Sequence, residues 1–527
     1  MQYKDFDKTA AYKRLKDYAA AWKGIDFKTA LDAARVQRCK TQMAAGLGYS
    51  WAAKAVDGGA LKLLQALAEE QELIGKYKAL LNGEIINTGE KRKVLHHLSR
   101  GELGQPVMES GKNIGDFYRT ELKRFCVFAD NIRAGKFTGS TGKPFTTVVQ
   151  IGIGGSDLGP RALYLALENW AVIEGVKKLD AKFISNVDPD DAAAVIASVP
   201  LEQSLFILVS KSGTTQETLA NELFVKERLK KAGLDSAKHM IAVTSETSPL
   251  AQNPAYLDSF YIDDYIGGRY SSSSGVGGCV LSIAFGPSAF TEFLAGATEA
   301  DRLAMEGDIL KNAALLDALI GVWERNFLGY PYTAVLPYSQ ALSRFPAHLQ
   351  QLDMESNGKR VNRDGKTISY NTGPVVFGEP GTNGQHSFYQ LLHQGTSVVP
   401  LQFIGFAESQ RGGDIIVDGT ASQTKLKANL VAQIVAFAKG QSDPSNLNKD
   451  FPGGRPSSLI WGKLLGPAAL GSLLAHFENK VMFQGFIWNV NSFDQEGVQL
   501  GKILTKKVLS GNSGDSALDV YGKMLEI

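Results

Sequence analysis

The chain has 527 residues, too many for one ordinary core, and its 44% hydrophobic and 21% charged residues suit a soluble globular protein of two or three domains. Its 56 basic and 54 acidic side chains leave a formal charge of +2, which gives no reason to expect nucleic acid or an anionic membrane as partner. Three scattered cysteines (Cys39, Cys126, Cys279) with no CxxC pair read as buried free thiols in a reducing compartment, and the seven histidines, with only His96 and His97 adjacent, make no metal-ligand pattern.

The first residues, Met1-Gln-Tyr-Lys-Asp-Phe-Asp-Lys8, have no apolar h-region and carry acids, so they read as neither a secretory nor a transit peptide. No apolar run reaches the ~20 residues of a membrane span. A cytoplasmic protein is expected. Residues 1–135 are rich in Ala, Leu, Lys and Glu at helical spacing, as in Ala60-Leu-Lys-Leu-Leu-Gln-Ala-Leu-Ala-Glu-Glu70, and predict a helical region packed on the core.

The texture changes at Lys143-Pro144. Thr147–Ile151, Lys182–Ser185, Ser204–Val209 and Met240–Thr244 read as strands alternating with helical stretches, which defines a first α/β domain over 136–285. Connecting helices follow over 286–330. A second alternating region, 331–504, includes strands at Thr333–Pro337 and Ser397–Phe403, and 505–527 reads as a helical arm. The alternation predicts parallel sheets covered by helices on both faces, and the two regions suggest a structural duplication.

The segment from Phe206 to Thr218 carries the strongest chemical signal. An apolar run stops at Ser210-Lys211-Ser212-Gly213-Thr214-Thr215, and a helical pattern follows at once. Hydroxyls, a lysine and unpaired N–H groups at a helix N-terminus make a phosphate site. Glu217 completes a Thr214-x-x-Glu217 capping box, or its carboxylate orients another catalytic group. Gly152-Ile-Gly154-Gly155-Ser156-Asp157-Leu-Gly159-Pro160 fails as GxGxxG at Asp157 and as a Walker loop at Pro160. It reads as a close-approach loop for a polar ligand, or as a tight turn with Asp157 as cap.

Arg269, in Gly267-Gly-Arg-Tyr-Ser271, sits where flanking glycines let the backbone fold around an anion. Gln350-Gln351-Leu-Asp353-Met-Glu355 holds two carboxylates that share a side if extended and diverge if helical. His386 follows a Gly-rich loop at an apparent helix start, where an imidazole is usable as acid or base. His393 reads as packing, and Lys502, past a polar turn, reads alone as a solvated lysine. Phosphate loop, carboxylate, histidine, arginine and lysine together suit metal-free proton transfer beside a carbonyl in a sugar phosphate.

With these motifs in hand, the chain closely resembles the phosphoglucose isomerase family. The resemblance rests on Gly154–Pro160, Ser210–Thr218, Gly267–Ser271, Met354–Lys359, Gly384-Gln-His386 and Phe493–Lys502, in the family's order. It implies two sugar-isomerase domains of flavodoxin-like type and a homodimer with shared active sites. It also implies interconversion of glucose 6-phosphate and fructose 6-phosphate in glycolysis and gluconeogenesis, with no cofactor. Ser210, Lys211, Ser212 and Thr215 would hold the phosphate, with Gly155 and Ser156 near the sugar and Gln351 and Gln495 on its hydroxyls. His386, assisted by Lys502 and oriented by Glu217, would open the ring. Glu355 would carry the proton between C1 and C2 through a cis-enediolate, and Arg269 would stabilise its negative oxygen. The family usually has Glu where this chain has Gln499, a change of little expected effect. A related isomerase that also accepts mannose 6-phosphate is the nearest alternative. A sugar-phosphate-sensing regulator would need a DNA-binding module or lost catalytic residues, and the chain shows neither.

Overall fold

Short runs of branched and aromatic residues build two large sheets. In the computed structural model, which describes residues 2–511 and 513–527, their strands in chain order are β1 (Lys40–Gln42), β2 (Gly48–Ala53), β3 (Thr147–Ile151), β4 (Asp180–Ile184), β5 (Ser204–Val209) and β6 (Met240–Thr244). There follow β7 (Ser259–Tyr261), β8 (Tyr332–Tyr338), β9 (Val375–Phe377), β10 (Leu401–Phe406) and β11 (Ser457–Gly462).

The first sheet has the order β7-β6-β5-β3-β4, with every neighbour parallel. This is the doubly wound flavodoxin-like order, 2-1-3-4-5 counted along the chain. Both faces are covered, as continuous apolar strands require. Val148, Leu205, Ile207 and Ile241 face one cluster with Leu163 and Phe128, while the intervening Val149, Phe206, Leu208 and Met240 face another with Val225 and Leu229.

The second sheet repeats the pattern and then departs from it. Its order is β1-β2-β11-β10-β8-β9, and β9, β8, β10 and β11 are parallel in the same 2-1-3-4 order. The next position is filled by β2, antiparallel to β11, with β1 outside it. The N-terminal region, expected to be helical, adds these two strands. It holds helices such as Ala10–Ala21, Gly58–Glu70 and Ile114–Arg133, but also lends two strands to the distant sheet. The alanines of β2 read locally as helix formers, and its strand state depends on pairing with residues some 400 positions away. Gly48 lies against the Trp461 ring, which leaves no room for a Cβ.

Helix Pro467–Ile487 is apolar nearly all round and buried along its length, as such a helix must be. It crosses helix Pro287–Leu303 closely, because Gly471 and Gly296 let each backbone reach the other's carbonyls at Phe293 and Ala468. Its charged residues are paired, Glu478 with Arg100 and Lys480 with Asp317 at 3.0 Å. Burial alone would raise the Asp317 pKa, yet Lys480 and His476 hold that carboxyl far below the ordinary range. From this helix the chain enters the loop at 488–495, which reaches the site. The C-terminal arm is two helices, Gln499–Leu509 and Ser516–Met524; the first starts before position 505 and carries Lys502. Among the described residues no helix is long and apolar enough to cross a membrane.

Candidate active site

Strands β3 and β5 are neighbours at the point where the first sheet's connections reverse, which is where doubly wound sheets open a crevice. Each runs into a Gly-containing loop and then a long helix. After β5, Gly213 takes a left-handed φ of 65° and backs onto Ser248, so a side chain is excluded twice over. Ser210 is buried and its Oγ lies 3.5 Å from Thr215 Oγ1. Ser212 Oγ accepts from Thr214 N and Thr214 Oγ1 at 3.2 and 2.9 Å. Lys211 Nζ donates to the Ile266 carbonyl at 3.2 Å and lies 3.9 Å from Asp264; burial lowers its pKa.

Thr215 is the N-cap of helix Gln216–Lys231, and no side chain caps it. The capping box read at Thr214 and Glu217 is thus corrected: the helix starts one residue later, and Thr214 turns to Ser212. Glu217 is half-buried with no hydrogen-bond partner among the described residues. The first-turn N–H groups are left to face a ligand. After β3, Asp157 occupies the N-cap position of helix Leu158–Ile173, but its carboxylate pairs with Arg161 at 2.7 Å instead of capping. Gly155 packs on the Gly268 carbonyl, where a Cβ would overlap, so this loop and the arginine loop are held together.

Arg269 is 1% exposed and held from several sides. Its Nε donates to Ser356 Oγ at 2.7 Å, and its Nη2 donates to the Ser492 and Asp494 carbonyls at 2.6 and 2.9 Å. Nη1 faces Glu355 Oε2 at 3.4 Å, an ion-pair contact too long for a hydrogen bond; both atoms are buried and have no hydrogen-bond partner. Glu355 ends a π-helical turn, Gln351–Glu355, an element frequent at functional sites. The helical alternative holds for its carboxylates. Asp353 turns into the core, where burial pushes its pKa up to about 6, while Glu355 faces Arg269. Gln351 Nε2 lies 3.2 Å from where a Cβ on Gly154 would stand, which puts Gln351 at the β3 loop beside Gly155 and Ser156.

The remaining site residues stand apart. His386, in the turn Asn383–His386, is exposed, as are Gln495 and Lys502. No hydrogen bond or ion pair joins any of them, or Glu217, to Glu355 or Arg269 among the described residues. His393 is packing, its ring stacked on Phe437 at 3.7 Å. His96 and His97 are buried, and burial lowers the His97 pKa to about 3.

Sequence reasoning passed over the segment 87–100. Arg92 Nη2 lies 3.5 Å from Asp264, the acid beside Lys211. Asn87 Oδ1 accepts from Asn491 Nδ2 at 2.9 Å, and Gly89 packs on Asp494. The turn-forming Asn87-Thr-Gly89 followed by Glu90-Lys-Arg-Lys93 was the available signal.

Paired doubly wound sheets, with a phosphate-type loop and a facing arginine and carboxylate at the switch point of the first, define an α/β protein with a small-molecule crevice. Residues 50–522 match the family described as Phosphoglucose isomerase. A glucose-6-phosphate isomerase of Treponema denticola is 60% identical over 530 residues, covering 100% of both chains. One from Treponema pallidum (strain Nichols) is 60% identical over 535 residues, covering 100% of this chain and 99% of that one. The crystal structure of a glucose-6-phosphate isomerase from Chlamydia trachomatis superposes with a TM-score of 0.92 at 43% identity, covering 99% of each chain. The chain belongs to the phosphoglucose isomerase family.

Proposed function

We propose that the crevice carries out the reversible isomerisation of D-glucose 6-phosphate and D-fructose 6-phosphate, the reaction of glycolysis and gluconeogenesis that goes with this family. One observation carries the assignment of roles: Arg269 Nη1 and Glu355 Oε2 face each other at 3.4 Å, buried and without hydrogen-bond partners. Buried polar atoms left unpaired cost free energy unless a ligand satisfies them. A substrate held there offers a C–H for the carboxylate and an oxygen for the guanidinium. Abstraction of a proton beside a carbonyl needs positive charge at the adjacent oxygen as negative charge develops, and Arg269 is preorganised to supply it. Glu355 takes the proton from one of C1 and C2 and returns it to the other, through a cis-enediolate.

Ser210, Lys211, Ser212, Thr215 and the first turn of helix Gln216–Lys231 hold the phosphate. Gly155, Ser156, Gln351 and Gln495 lie along the sugar. His386, with Lys502 assisting and Glu217 orienting it, moves the proton at the ring oxygen. No metal or cofactor enters this sequence of steps.

The second part of the proposal is a homodimer. His386 and Lys502 are exposed and unconnected to Glu355, which is what a site shared between copies looks like in one chain. The apolar surface is uncovered in the same places: Ile416 is 73% exposed on a hairpin, and Leu500, Ile503, Met524 and Leu525 are exposed along the arm. A second copy covers these and completes each site. The domain division 136–285 and 331–498, with connecting helices between, is part of this reading, with the arm taken from Gln499. So is a cytoplasmic setting, which the free Cys39, Cys126 and Cys279 suit.

Fructose 6-phosphate with purified protein, coupled to glucose-6-phosphate dehydrogenase, tests the reaction, and reduction of the nicotinamide is expected with EDTA present. No turnover, or turnover lost on chelation and restored by a divalent ion, would contradict the scheme.

A further inference from the structure

We propose that Lys359 and Asp494 form a positioning pair that sets the separation and the net charge of Arg269 and Glu355. This rests on the reading of Arg269 as the group that stabilises the negative oxygen.

The Asp494 carbonyl accepts two cations, Arg269 Nη2 at 2.9 Å and Lys359 Nζ at 3.2 Å. Lys359 also pairs with Oδ1 of the Asp494 carboxylate. The other carboxylate oxygen accepts from Asn491 Nδ2 at 2.7 Å, and Asn491 Nδ2 also reaches Asn87 Oδ1 at 2.9 Å. Lys359 lies four residues after Glu355 on the same segment. That segment and the loop at 491–494 are joined a second time, by Ser492 Oγ donating to Asn357 Oδ1 at 2.7 Å. They are joined a third time through Arg269 itself, which donates to Ser356 on one side and to Ser492 and Asp494 on the other. The guanidinium is thus gripped between the segment that bears the base and a loop that the ion pair locks to it.

Two physical consequences follow. First, geometry: a base and an electrostatic stabiliser act on adjacent atoms of one substrate, and a displacement of ~1 Å between them costs as much as ~10²-fold in rate. Second, charge: the Lys359 and Asp494 side chains are only 16% and 17% exposed. Without Lys359, an unneutralised carboxylate would stand on the very residue whose carbonyl touches Arg269. It would offset part of the positive charge that the developing oxyanion needs.

The test compares Lys359→Met, Lys359→Arg, Asp494→Asn and Arg269→Lys with the parent in the full-length protein. Five quantities are read: kcat and KM for fructose 6-phosphate, inhibition by a five-carbon aldonate phosphate as a linear enediolate mimic, inhibition by inorganic phosphate, and the melting temperature. Lys359→Met should lower kcat about 10–100-fold with KM nearly unchanged, as expected for a small misplacement of reacting groups. It should weaken the mimic by a similar factor and leave inorganic phosphate unaffected, while Lys359→Arg restores most of both. Asp494→Asn, which keeps the carbonyl, should give the same pattern at smaller size, because it loosens the loop as Lys359→Met does but leaves the Lys359 cation, whose charge favours the oxyanion. Equal weakening of mimic and phosphate, or unchanged kcat in a folded Lys359→Met protein, would overturn the proposal. If Lys359→Met does not fold, Asp494→Asn decides it by the same ratio. Unchanged binding of the mimic in Arg269→Lys would instead sink the role given to Arg269.

Discussion

Strands β5 and β10 hold equivalent places in their sheets, and each leads through a loop to a long helix, yet the two helix N-termini are finished in opposite ways. After β5, Thr215 provides no side-chain cap, and Lys211 with three hydroxyl side chains stands around the first turn of Gln216–Lys231. After β10, the chain wanders through 407–421 before helix Ser422–Lys439, and Asp414 folds back onto it. Asp414 Oδ1 accepts from Ile415 N at 2.7 Å and Ser422 N at 2.8 Å, and Oδ2 accepts from Gln423 N at 3.0 Å. The second helix has filled its anion position with a carboxylate of its own, while the first keeps that position for a ligand. Duplication of the fold has not duplicated the site. One sheet supplies the loop proposed to hold the phosphate; the other supplies Glu355 and, in the second loop, the exposed apolar hairpin proposed to meet a partner.

Copying the second arrangement into the first loop is the harshest way to probe this difference. Ser212→Asp places a carboxylate among the phosphate donors, and like-charge repulsion in a partly buried site should raise KM for sugar phosphates about 10²–10³-fold. An unchanged KM would show that the phosphate binds elsewhere. Lys211→Ala is milder. Loss of one charge-assisted contact should raise KM and the inhibition constant of inorganic phosphate ~10–100-fold, with a smaller change in kcat. Normal inhibition by phosphate would remove Lys211 from the site.

Asp414→Asn should do least: unchanged kcat and KM, and a melting temperature lowered slightly at neutral pH. Backbone N–H groups, that of Gln423 first, depress the Asp414 pKa, so the carboxylate's stabilisation is present above its unfolded value of ~3.9 and is lost as the pH falls through the folded one. The difference from the parent should therefore begin to fade below about pH 4 and be gone once the pH is below the folded value. A large fall in activity instead would mean that the second loop touches substrate.

Strands β3, β5 and β6 lie where their residue patterns place them, because a strand buried on both faces is a short continuous apolar run between turn signals. The strand read at Ser397–Phe403 runs instead over Leu401–Phe406, with Pro400 just outside it. Val399-Pro400 shares the apolar texture of the strand, and only pairing with β8 and β11 sets the start. Strands β1 and β2 were not legible, since β2 joins the sheet through β11, which is remote in sequence, and β1 pairs only with β2. The motifs around Ser210, Arg269 and Glu355 were legible as local chemistry. The Lys359–Asp494 pair spans 135 positions, and neither residue signals the other. His386 and Lys502 were legible as motif residues, but one chain leaves them open to solvent.

In the proposed reaction Glu355 moves the proton while Arg269 holds the oxygen beside it. Glu355→Gln keeps the shape and removes the base. It should lower kcat at least ~10²–10⁴-fold, the usual range for loss of a general base. The direct measurement is exchange of the C2 hydrogen of glucose 6-phosphate with solvent deuterium, followed by NMR alongside binding of the linear aldonate phosphate. Exchange should be abolished in Glu355→Gln while the mimic still binds. Exchange at the parent rate would contradict this role for Glu355, and Asp353, on the same π-helical turn with its pKa raised to about 6, would become the base to test.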